Sequence, residues 1–482
     1  MKKAGILMPV ASLPDRHGIG SFGKQAYHFV DEINKAGLTI WQILPLNPLG
    51  YGNSPYQPYS SFAMDELYIS LDLLKEEGLI KSRIPSFRRR AGQIDYDAVR
   101  RFKEPFLKEA YRNFKPDHAY SVFAFQQWLR DYAVFMTFRK INNMHCWNEW
   151  PEEMRDEPIE GKIDLKEYTD EILYQVFLQY ILFRQWKDLK QYANDKGIEI
   201  MGDIPFYVGL DSADVWAKRE NFLLTRDGHP TFIAGVPPDY FSATGQRWGN
   251  PIYNWEYMEK DNFSFWMERL SYVRKMFDLV RVDHFRAFDT YWKIKASCPT
   301  AIDGKWIEAP GYKLFDTMLK ADPEFEIVAE DLGDLRKEVH VLRDHYHFRG
   351  MRVIQFSFDP KGMPADKEHL VVYTGTHDND PIFSWYRHKP AAERRAMRRY
   401  LKKTGYHAHS FAEDIIQYSL DSNADMVIIP MVDYLHLGKK ARLNLPGTVG
   451  KPNWMWRLTE FSAFEKKVPA IRAAVEKAKR IA

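Results

Sequence analysis

The amino-acid sequence predicts an α/β fold, a (β/α)8 TIM barrel with helical and loop insertions. Eight short segments are rich in β-branched and apolar residues, as buried strands are, and helical patterns separate many of them. Three of these segments lead into carboxylates, at Asp283, Glu330 and Asp378. In a parallel α/β barrel the carboxyl ends of all strands lie on one face, and that face carries the chemistry. We therefore expect the three carboxylates to meet in one cleft.

The elements follow one another in the order that a barrel requires. The predicted strands cover residues 5–10, 39–44, 198–205, 279–282, 326–329, 352–356, 371–374 and 424–430. Predicted helices include 22–36, which Gly37 ends as a C-terminal cap, and 172–194, which ends near Gly197. A last helix over 469–478 begins at Pro469, a residue suited to a first helical turn. We expect no C-terminal β-sandwich domain.

Two stretches interrupt the barrel pattern. We expect residues 1–482 to form a single catalytic barrel domain, with insertions at about 62–170 and 206–262 as subdomains around the active-site cleft. The first insertion has an irregular, helical pattern with no segment that resembles a barrel strand. In the second, residues 235–251 are so rich in glycine and proline that we expect no regular structure there.

The composition excludes several classes of partner. With 68 basic and 65 acidic side chains the net charge is only +3, which argues against a nucleic-acid or membrane-surface partner. No segment approaches the length of a membrane span, and the apolar start is too short for a signal peptide. Two cysteines imply no disulfide framework, which fits a reducing compartment. We expect a cytoplasmic enzyme, and its oligomeric state, monomer or homodimer, stays open.

Aromatic side chains make up 15% of the chain, and many lie in loop-like contexts. Sugar rings present flat apolar C–H faces, so aromatic platforms suit a glycan-binding surface. Two aromatic loops stand out, at 51–59 and 240–248. The first follows the second predicted strand, which places it on the face that carries the chemistry.

The carboxylates suit the cleavage of a glycosidic bond, in which one attacks the anomeric carbon and another protonates the leaving oxygen. Asp283 suits the nucleophile, because Arg281 lies on the same face of the strand and would hold it ionised. Glu330 suits the general acid, because partial burial and a nearby ionised Asp283 raise its pKa. Asp378 could stabilise positive charge on the ring, with His284 and His377 donating to sugar hydroxyls.

Other interpretations of these residues compete. Each carboxylate could cap a helix or pair with an arginine, although three in register make that less favoured. Asp203 could line the sugar site, cap a turn or pair with Arg281, and the sequence does not decide between these. Acidic and histidine side chains at strand ends also build metal sites, but Arg281 beside Asp283 would repel a divalent ion. We therefore expect no metal and no cofactor.

Six motifs together closely resemble the amylomaltases, the 4-α-glucanotransferases of the α-amylase superfamily. They span essentially the whole chain: GYGNSPYQ (50–57), GDIP (202–205), RVDHFR (281–286), AEDLG (329–333), THDN (376–379) and NLPGT (444–448). Each motif alone is modest, and their combination in this order is specific. In wider α-amylases the third strand carries an Asn-His pair, whereas in this chain Pro205-Phe206 follows Asp203, as in the amylomaltase form.

The resemblance implies that Asp283 is the nucleophile, Glu330 the acid/base and Asp378 the transition-state stabiliser. It implies a sugar site lined by Tyr56, Asp203, Arg281, His377 and Asn444. A loop with Gln246 and Trp248 would arch over the cleft, and Ser54 and Trp248 would touch donor or acceptor sugars. Tyr51, in the first aromatic loop, and His284 complete the predicted substrate-binding set.

The implied activity is transfer of a segment of a 1,4-α-D-glucan, a maltodextrin, to the 4-hydroxyl of an acceptor glucose or glucan. It proceeds by a retaining double displacement through a glycosyl ester of the nucleophilic aspartate. The aromatic loops would hold the acceptor and exclude water. Two alternatives stay open: an α-glucan hydrolase of the amylase or α-glucosidase type, and a non-catalytic glucan-binding protein on the same fold.

Overall fold

The computed structural model describes residues 2–87, 92–238, 242–363 and 367–481. Over these residues the strands are β1 (Lys3–Leu7), β2 (Ile40–Gln42), β3 (Glu199–Ile204), β4 (Phe232–Val236), β5 (Gln246–Pro251), β6 (Leu279–Val282), β7 (Thr290–Lys295), β8 (Lys305–Glu308), β9 (Ile327–Ala329), β10 (Gly350–Val353), β11 (Leu370–Tyr373) and β12 (Met426–Pro430). Eight of them form a parallel sheet in the order β10-β11-β12-β1-β2-β3-β6-β9. A parallel bridge from Val328 in β9 to Arg349, just before β10, closes the sheet. The predicted (β/α)8 barrel is confirmed.

Helices connect and surround the strands. They are α1 (Lys24–Lys35), α2 (Leu71–Glu76), α3 (Tyr96–Asn113), α4 (His118–Ala124), α5 (Gln127–Ile141), α6 (Glu152–Arg155), α7 (Glu157–Glu160), α8 (Thr169–Asp195), α9 (Ala213–Ala217), α10 (Trp255–Lys260), α11 (Ser264–Met276), α12 (Gly311–Ala321), α13 (Lys337–His345), α14 (Ile354–Ser357), α15 (Ile382–His388), α16 (Ala391–Lys403), α17 (Phe411–Leu420), α18 (Met431–Tyr434), α19 (Ser462–Glu465) and α20 (Val468–Lys477). After β12 the described residues, 431–481, form helices and loops with one isolated bridge, and no β-sandwich. Within the described ranges, every helix is too short or too polar to cross a membrane.

The barrel strands are buried on both faces. In β12, Met426 and Ile428 belong to the apolar cluster inside the barrel, whereas Val427 and Ile429 pack in the layer between strands and helices. This alternation follows from the two-residue period of a strand. Each such side chain contributes about 1.5–3 kcal/mol relative to an exposed position. Burial of both faces therefore fixes the strand ends, from which the polar side chains emerge.

One prediction about the second insertion was wrong. Residues 235–251, expected to be irregular, include the end of β4 and the whole of β5. These strands belong to an antiparallel sheet in the order β5-β4-β7-β8, whose last two strands the sequence did not predict. A Cβ on Gly235 would lie 2.1 Å from the Gln246 carbonyl oxygen, so this glycine permits close strand pairing and does not mark a loop.

The sixth predicted strand, 352–356, was wrong at its C-terminal end. The strand β10 stops at Val353, and Ile354 begins the single turn α14. Phe356 is 68% exposed, so its strand propensity is not supported by packing. The division of the chain into a barrel with insertions at about 62–170 and 206–262 stays a prediction.

Candidate active site

Two of the predicted catalytic carboxylates follow directly from neighbouring strands. Val282 of β6 pairs with Ala329 of β9, and the next residues along these strands are Asp283 and Glu330. A hydrogen bond from backbone to side chain joins the two strand ends, because the His284 N–H donates to Glu330 Oε2 at 2.9 Å. The register of the parallel sheet therefore brings this pair side by side at the carboxyl end of the barrel.

Arg281 divides its hydrogen bonds between two aspartates. Its Nη1 donates to both Asp203 oxygens, at 2.7 and 2.8 Å, and its Nη2 donates to Asp283 Oδ1 at 3.0 Å. Asp203 and Arg281 are register partners on β3 and β6 and are both buried. Burial alone would lower the pKa of Arg281, but the two aspartates raise it well above its ordinary value. The structure thus shows Asp203 paired with Arg281, and Arg281 supports the ionised form of Asp283.

Glu330 lies in a different environment from Asp283. Its Oε1 accepts the Leu332 N–H at 3.1 Å, and its Oε2 accepts the His284 N–H described above. Burial, with the ionised Asp283 as the next cause, raises the pKa of Glu330 to about 7, against the opposing effects of Arg281 and the two N–H donors. A carboxyl group with this pKa is protonated in part at neutral pH, as a general acid must be.

Asp378 lies in the loop between β11 and α15. Asn444 Nδ2 donates to Asp378 Oδ1 at 2.7 Å, and the Asn444 N–H donates to the His377 carbonyl at 3.1 Å. The Asp378 side chain is 42% exposed, so its carboxylate is partly open to solvent and not packed in the core. Two predicted residues, Asn444 and His377, therefore lie against Asp378.

Arg442 holds this loop and was missed by the sequence analysis. Its guanidinium donates to the Asn444 carbonyl at 2.7 Å, to Asp380 Oδ1 at 2.8 Å and to the Asp378 carbonyl at 2.6 Å. It therefore joins the backbone of Asp378 to that of Asn444. Its position two residues before the NLPGT motif was the only signal in the sequence, and arginines near loops are too common for that to identify it.

Tyr56 connects the Asp203 side of the cleft to the Asp378 side. Its hydroxyl donates to Asp203 Oδ2 at 2.7 Å and lies 3.4 Å from His377 Nδ1. Its ring stacks on His377 with the centroids 5.0 Å apart, and His377 Nε2 lies 3.4 Å from Asp378 Oδ1. The Tyr56 N–H donates to Ser54 Oγ at 3.3 Å, which brings Ser54 to the same loop corner.

Trp248 and His284 form an aromatic corner on the Glu330 side. Their rings meet edge to face with centroids 4.9 Å apart, and Trp248 Nε1 donates to Gln246 Oε1 at 3.3 Å. Tyr207, which the sequence analysis missed, packs beside Trp248 with the ring centroids 6.2 Å apart. His284 has a left-handed backbone with φ of 53°, and burial, followed by the effect of Arg286, lowers the pKa of its ring to about 3. The ring is therefore neutral at any pH near 7.

Two further aromatic residues of the predicted loops are Tyr51 and Tyr240. Tyr51 is 77% exposed, and its carbonyl accepts the Ser54 N–H at 3.4 Å, so it lies at the solvent edge of the first aromatic loop. Tyr240, at the start of the second loop, lies outside the described residues.

Within the described residues, one group could hold a metal ion: His28, Glu32 and Glu465, on α1 and α19. It includes none of the predicted site residues.

Comparisons with known proteins agree with the fold and the motifs. A family model described as 4-alpha-glucanotransferase matches residues 8–462. The 4-alpha-glucanotransferase of Thermus thermophilus is 41% identical over 500 residues, which cover 99% of each chain. A chloroplastic/amyloplastic 4-alpha-glucanotransferase of Solanum tuberosum is 38% identical over 494 residues, with 96% of this chain and 83% of the relative covered.

Solved structures show the same relation. An amylomaltase from Streptococcus agalactiae in complex with acarbose matches with a TM-score of 0.94 and 34% identity, over 100% of both chains. An amylomaltase from Corynebacterium glutamicum, at 17% identity and a TM-score of 0.78, covers 99% of this chain and 75% of its own, and shows the shared fold alone. The resemblance that the motifs predicted is thus confirmed, and the chain belongs to the 4-alpha-glucanotransferase family.

Proposed function

We propose that this enzyme transfers a segment of a 1,4-α-D-glucan to the 4-hydroxyl of an acceptor glucose or glucan by a retaining double displacement. Family membership supports the transfer of glucan segments. The observation that carries the mechanism is the contrast between two adjacent carboxylates. Asp283 receives a charged donor from Arg281, whereas burial raises the pKa of Glu330 to about 7. One is thereby prepared to attack and the other to donate a proton.

In the first step, an Asp283 oxygen attacks the anomeric carbon while Glu330 gives its proton to the glycosidic oxygen. Because Asp283 Oδ1 is bound to Arg281, we assign the attack to Oδ2. The bond between the anomeric carbon and the leaving oxygen breaks, and a glycosyl ester of Asp283 forms. Asp378 stabilises the positive charge that develops on the ring between these states, with Asn444 holding its carboxylate.

In the second step, the now ionised Glu330 takes the proton from the acceptor 4-hydroxyl as its oxygen attacks the anomeric carbon. The ester bond to Asp283 breaks, and both carboxyl groups return to their starting protonation states. Transfer requires that the acceptor, rather than water, occupies the position beside Glu330. The rings of Trp248 and His284 lie on this side of the cleft and suit contact with the acceptor sugar.

The other predicted contacts complete this proposal. Tyr56 and His377 lie against the glucose unit that becomes esterified, and the buried Asp203 supports them through its hydrogen bonds with Tyr56 and Arg281. Ser54, Gln246 and Tyr51 contact sugars further along the chain. The donor is an α-1,4-glucan, and the acceptor is glucose or a maltodextrin. We keep the cytoplasm as the proposed compartment, because both cysteines are unpaired.

The product profile from maltotriose tests the proposal. Transfer gives glucose and longer maltodextrins while the total number of reducing ends stays nearly constant. A steady rise in reducing ends would instead show a hydrolase. The substitution Asp283→Asn should abolish turnover and spare maltodextrin binding, whereas wild-type binding without any turnover would favour a non-catalytic glucan-binding protein.

A further inference from the structure

We propose that the buried Asp433 is a positioning residue that fixes the loop carrying Asp378. Asp433 lies in α18, the short helix that follows β12 directly, and it is 1% exposed. It therefore does not reach a bound glucan and acts only through its neighbours. This inference rests on the role proposed above for Asp378.

A single carboxylate joins both ends of the loop. Asp433 Oδ2 accepts the Thr374 hydroxyl at 2.5 Å, and Asp433 Oδ1 accepts the Ile382 N–H at 2.7 Å. Thr374 follows β11 directly, and Ile382 is the first residue of α15. The segment between these two residues, 375–381, contains Asp378, and both anchor residues are fully buried. Asp433 thus determines where the loop leaves the barrel and where it returns.

Asp433 lies three residues after β12, so a neighbouring barrel strand holds this anchor in place. β11 and β12 are adjacent in the sheet, with Tyr373 paired to Ile428. Through the Asp433 carboxylate, the loop of residues 375–381 is therefore held in a fixed position relative to the barrel. Burial raises the pKa of Asp433 to about 7. The hydrogen bonds from the Thr374 hydroxyl and the Ile382 N–H oppose this effect, because they favour the ionised carboxylate.

Contacts inside the loop set its shape, and Arg442 and Asn444 hold its middle, whereas Asp433 binds both of its ends. Asn379 Oδ1 accepts from the Thr376 N–H at 2.8 Å and from the Thr376 hydroxyl at 2.9 Å. These bonds close a turn around Asp378 and move with it. Because the Asp378 carboxylate is partly exposed and not packed in the core, its location depends on the hydrogen bond from Asn444 and on the backbone that carries it. Displacement of a catalytic group by about 1 Å can reduce a rate by about 100-fold.

The test compares Asp433→Ala and Asp433→Asn with Asp414→Ala as a matched control. Asp414 is also a buried aspartate that bridges two segments, because it accepts the Ala408 N–H at 2.7 Å and pairs with Arg398. It makes no hydrogen bond to the loop of residues 375–381, all of which the structure describes. We expect D433A to lower kcat on maltotriose by about 10- to 100-fold with KM changed less than about threefold. D433N should stay within about threefold of wild type, because its amide oxygen still accepts the Ile382 N–H.

Thermal unfolding and circular dichroism give the folded fraction of each variant, to which kcat is normalised. Per folded molecule, D414A should keep the wild-type kcat even where it is destabilised. A folded D433A with kcat within threefold of wild type would overturn the inference. So would a D414A that loses as much kcat as D433A, because the effect would then be general destabilisation.

Thr374 provides a second variant pair if D433A does not fold. T374V removes the hydroxyl donor at similar volume and should lower kcat about 3- to 10-fold, whereas T374S keeps the donor and should match wild type. Full activity of T374V would overturn the inference. The variant D378N separates the two proposals: if D378N is inactive and D433A fully active, only this inference fails, whereas an active D378N would reject the role of Asp378 itself.

Discussion

The protonation of Glu330 predicts the basic limb of the pH profile. With the ordinary glutamate pKa of 4.5, roughly one Glu330 in 300 would carry a proton at pH 7, whereas a pKa of about 7 leaves roughly half protonated. Burial and the neighbouring Asp283 therefore increase the fraction of competent acid by roughly 150-fold at that pH. We expect kcat/KM on maltotriose to fall as pH rises through about 7, by about tenfold for each further pH unit.

The assay measures initial rates of glucose release from maltotriose between pH 5 and 9, in buffers of constant ionic strength. The matched control is an α-maltosyl fluoride donor, because fluoride leaves without a proton from Glu330. The basic limb should disappear with this donor, and Glu330→Gln should lose about 100- to 10,000-fold on maltotriose while retaining much more activity on the fluoride.

His284 does not provide an alternative origin for this limb. Its pKa of about 3 keeps the ring neutral over the whole range of the assay. A rate on maltotriose that stays flat to pH 9 would refute the assignment of Glu330 as general acid. A basic limb of equal size with the fluoride donor would do the same, because the titrating group would then not serve the leaving oxygen.

Three further substitutions test the contacts around the cleft. Arg442→Ala removes three hydrogen bonds to the loop and should lower kcat about tenfold. Arg442→Lys should recover part of this loss, because a lysine can rebuild one of the three contacts. Unchanged steady-state kinetics in Arg442→Ala would contradict this prediction. Asp203→Ala leaves the buried Arg281 with one acidic partner, and urea unfolding should show a loss of about 3 kcal/mol; equal stability would count against the pair. Trp248→Ala should raise KM for maltotriose about fivefold with a smaller change in kcat, and an unaltered KM would exclude a sugar contact there.

The barrel could be predicted because its strands carry a local signal. In strands such as β12, buried on both faces, β-branched and apolar residues run continuously, and the carboxylates mark where they end. The antiparallel sheet carries no such signal. β5 contains a glycine, an asparagine and a terminal proline, and it forms because it pairs with β4, which β7 holds on its other edge. Its stability is a property of tertiary contacts, which a single segment does not display.

The site residues divide in the same way. Asp283 and Glu330 follow strand ends, so the sequence and the barrel rule are enough to bring them together. Arg442 and Asp433 act through hydrogen bonds to loops that are distant in sequence, and nothing in their own neighbourhoods distinguishes them from ordinary polar residues. The residues proposed to touch substrate can thus be predicted from chemistry and position, whereas residues that hold the loops emerge only from the folded structure.

The different hydrogen-bond environments of Asp283 and Glu330 follow from the register of three strands. Both carboxylates leave the barrel at the same level, on adjacent strands β6 and β9. Arg281, however, precedes Asp283 on β6 and is fixed toward it by its buried pairing with Asp203 on β3, so its Nη2 donates to Asp283 while Glu330 receives only neutral N–H donors. A charged donor stabilises a carboxylate more than neutral N–H donors do. The negative charge on Asp283 then disfavours ionisation of the neighbouring Glu330. Together with burial, the largest cause of the raised pKa of Glu330, the order of residues along these three strands supports the proposed roles of Asp283 as nucleophile and Glu330 as acid.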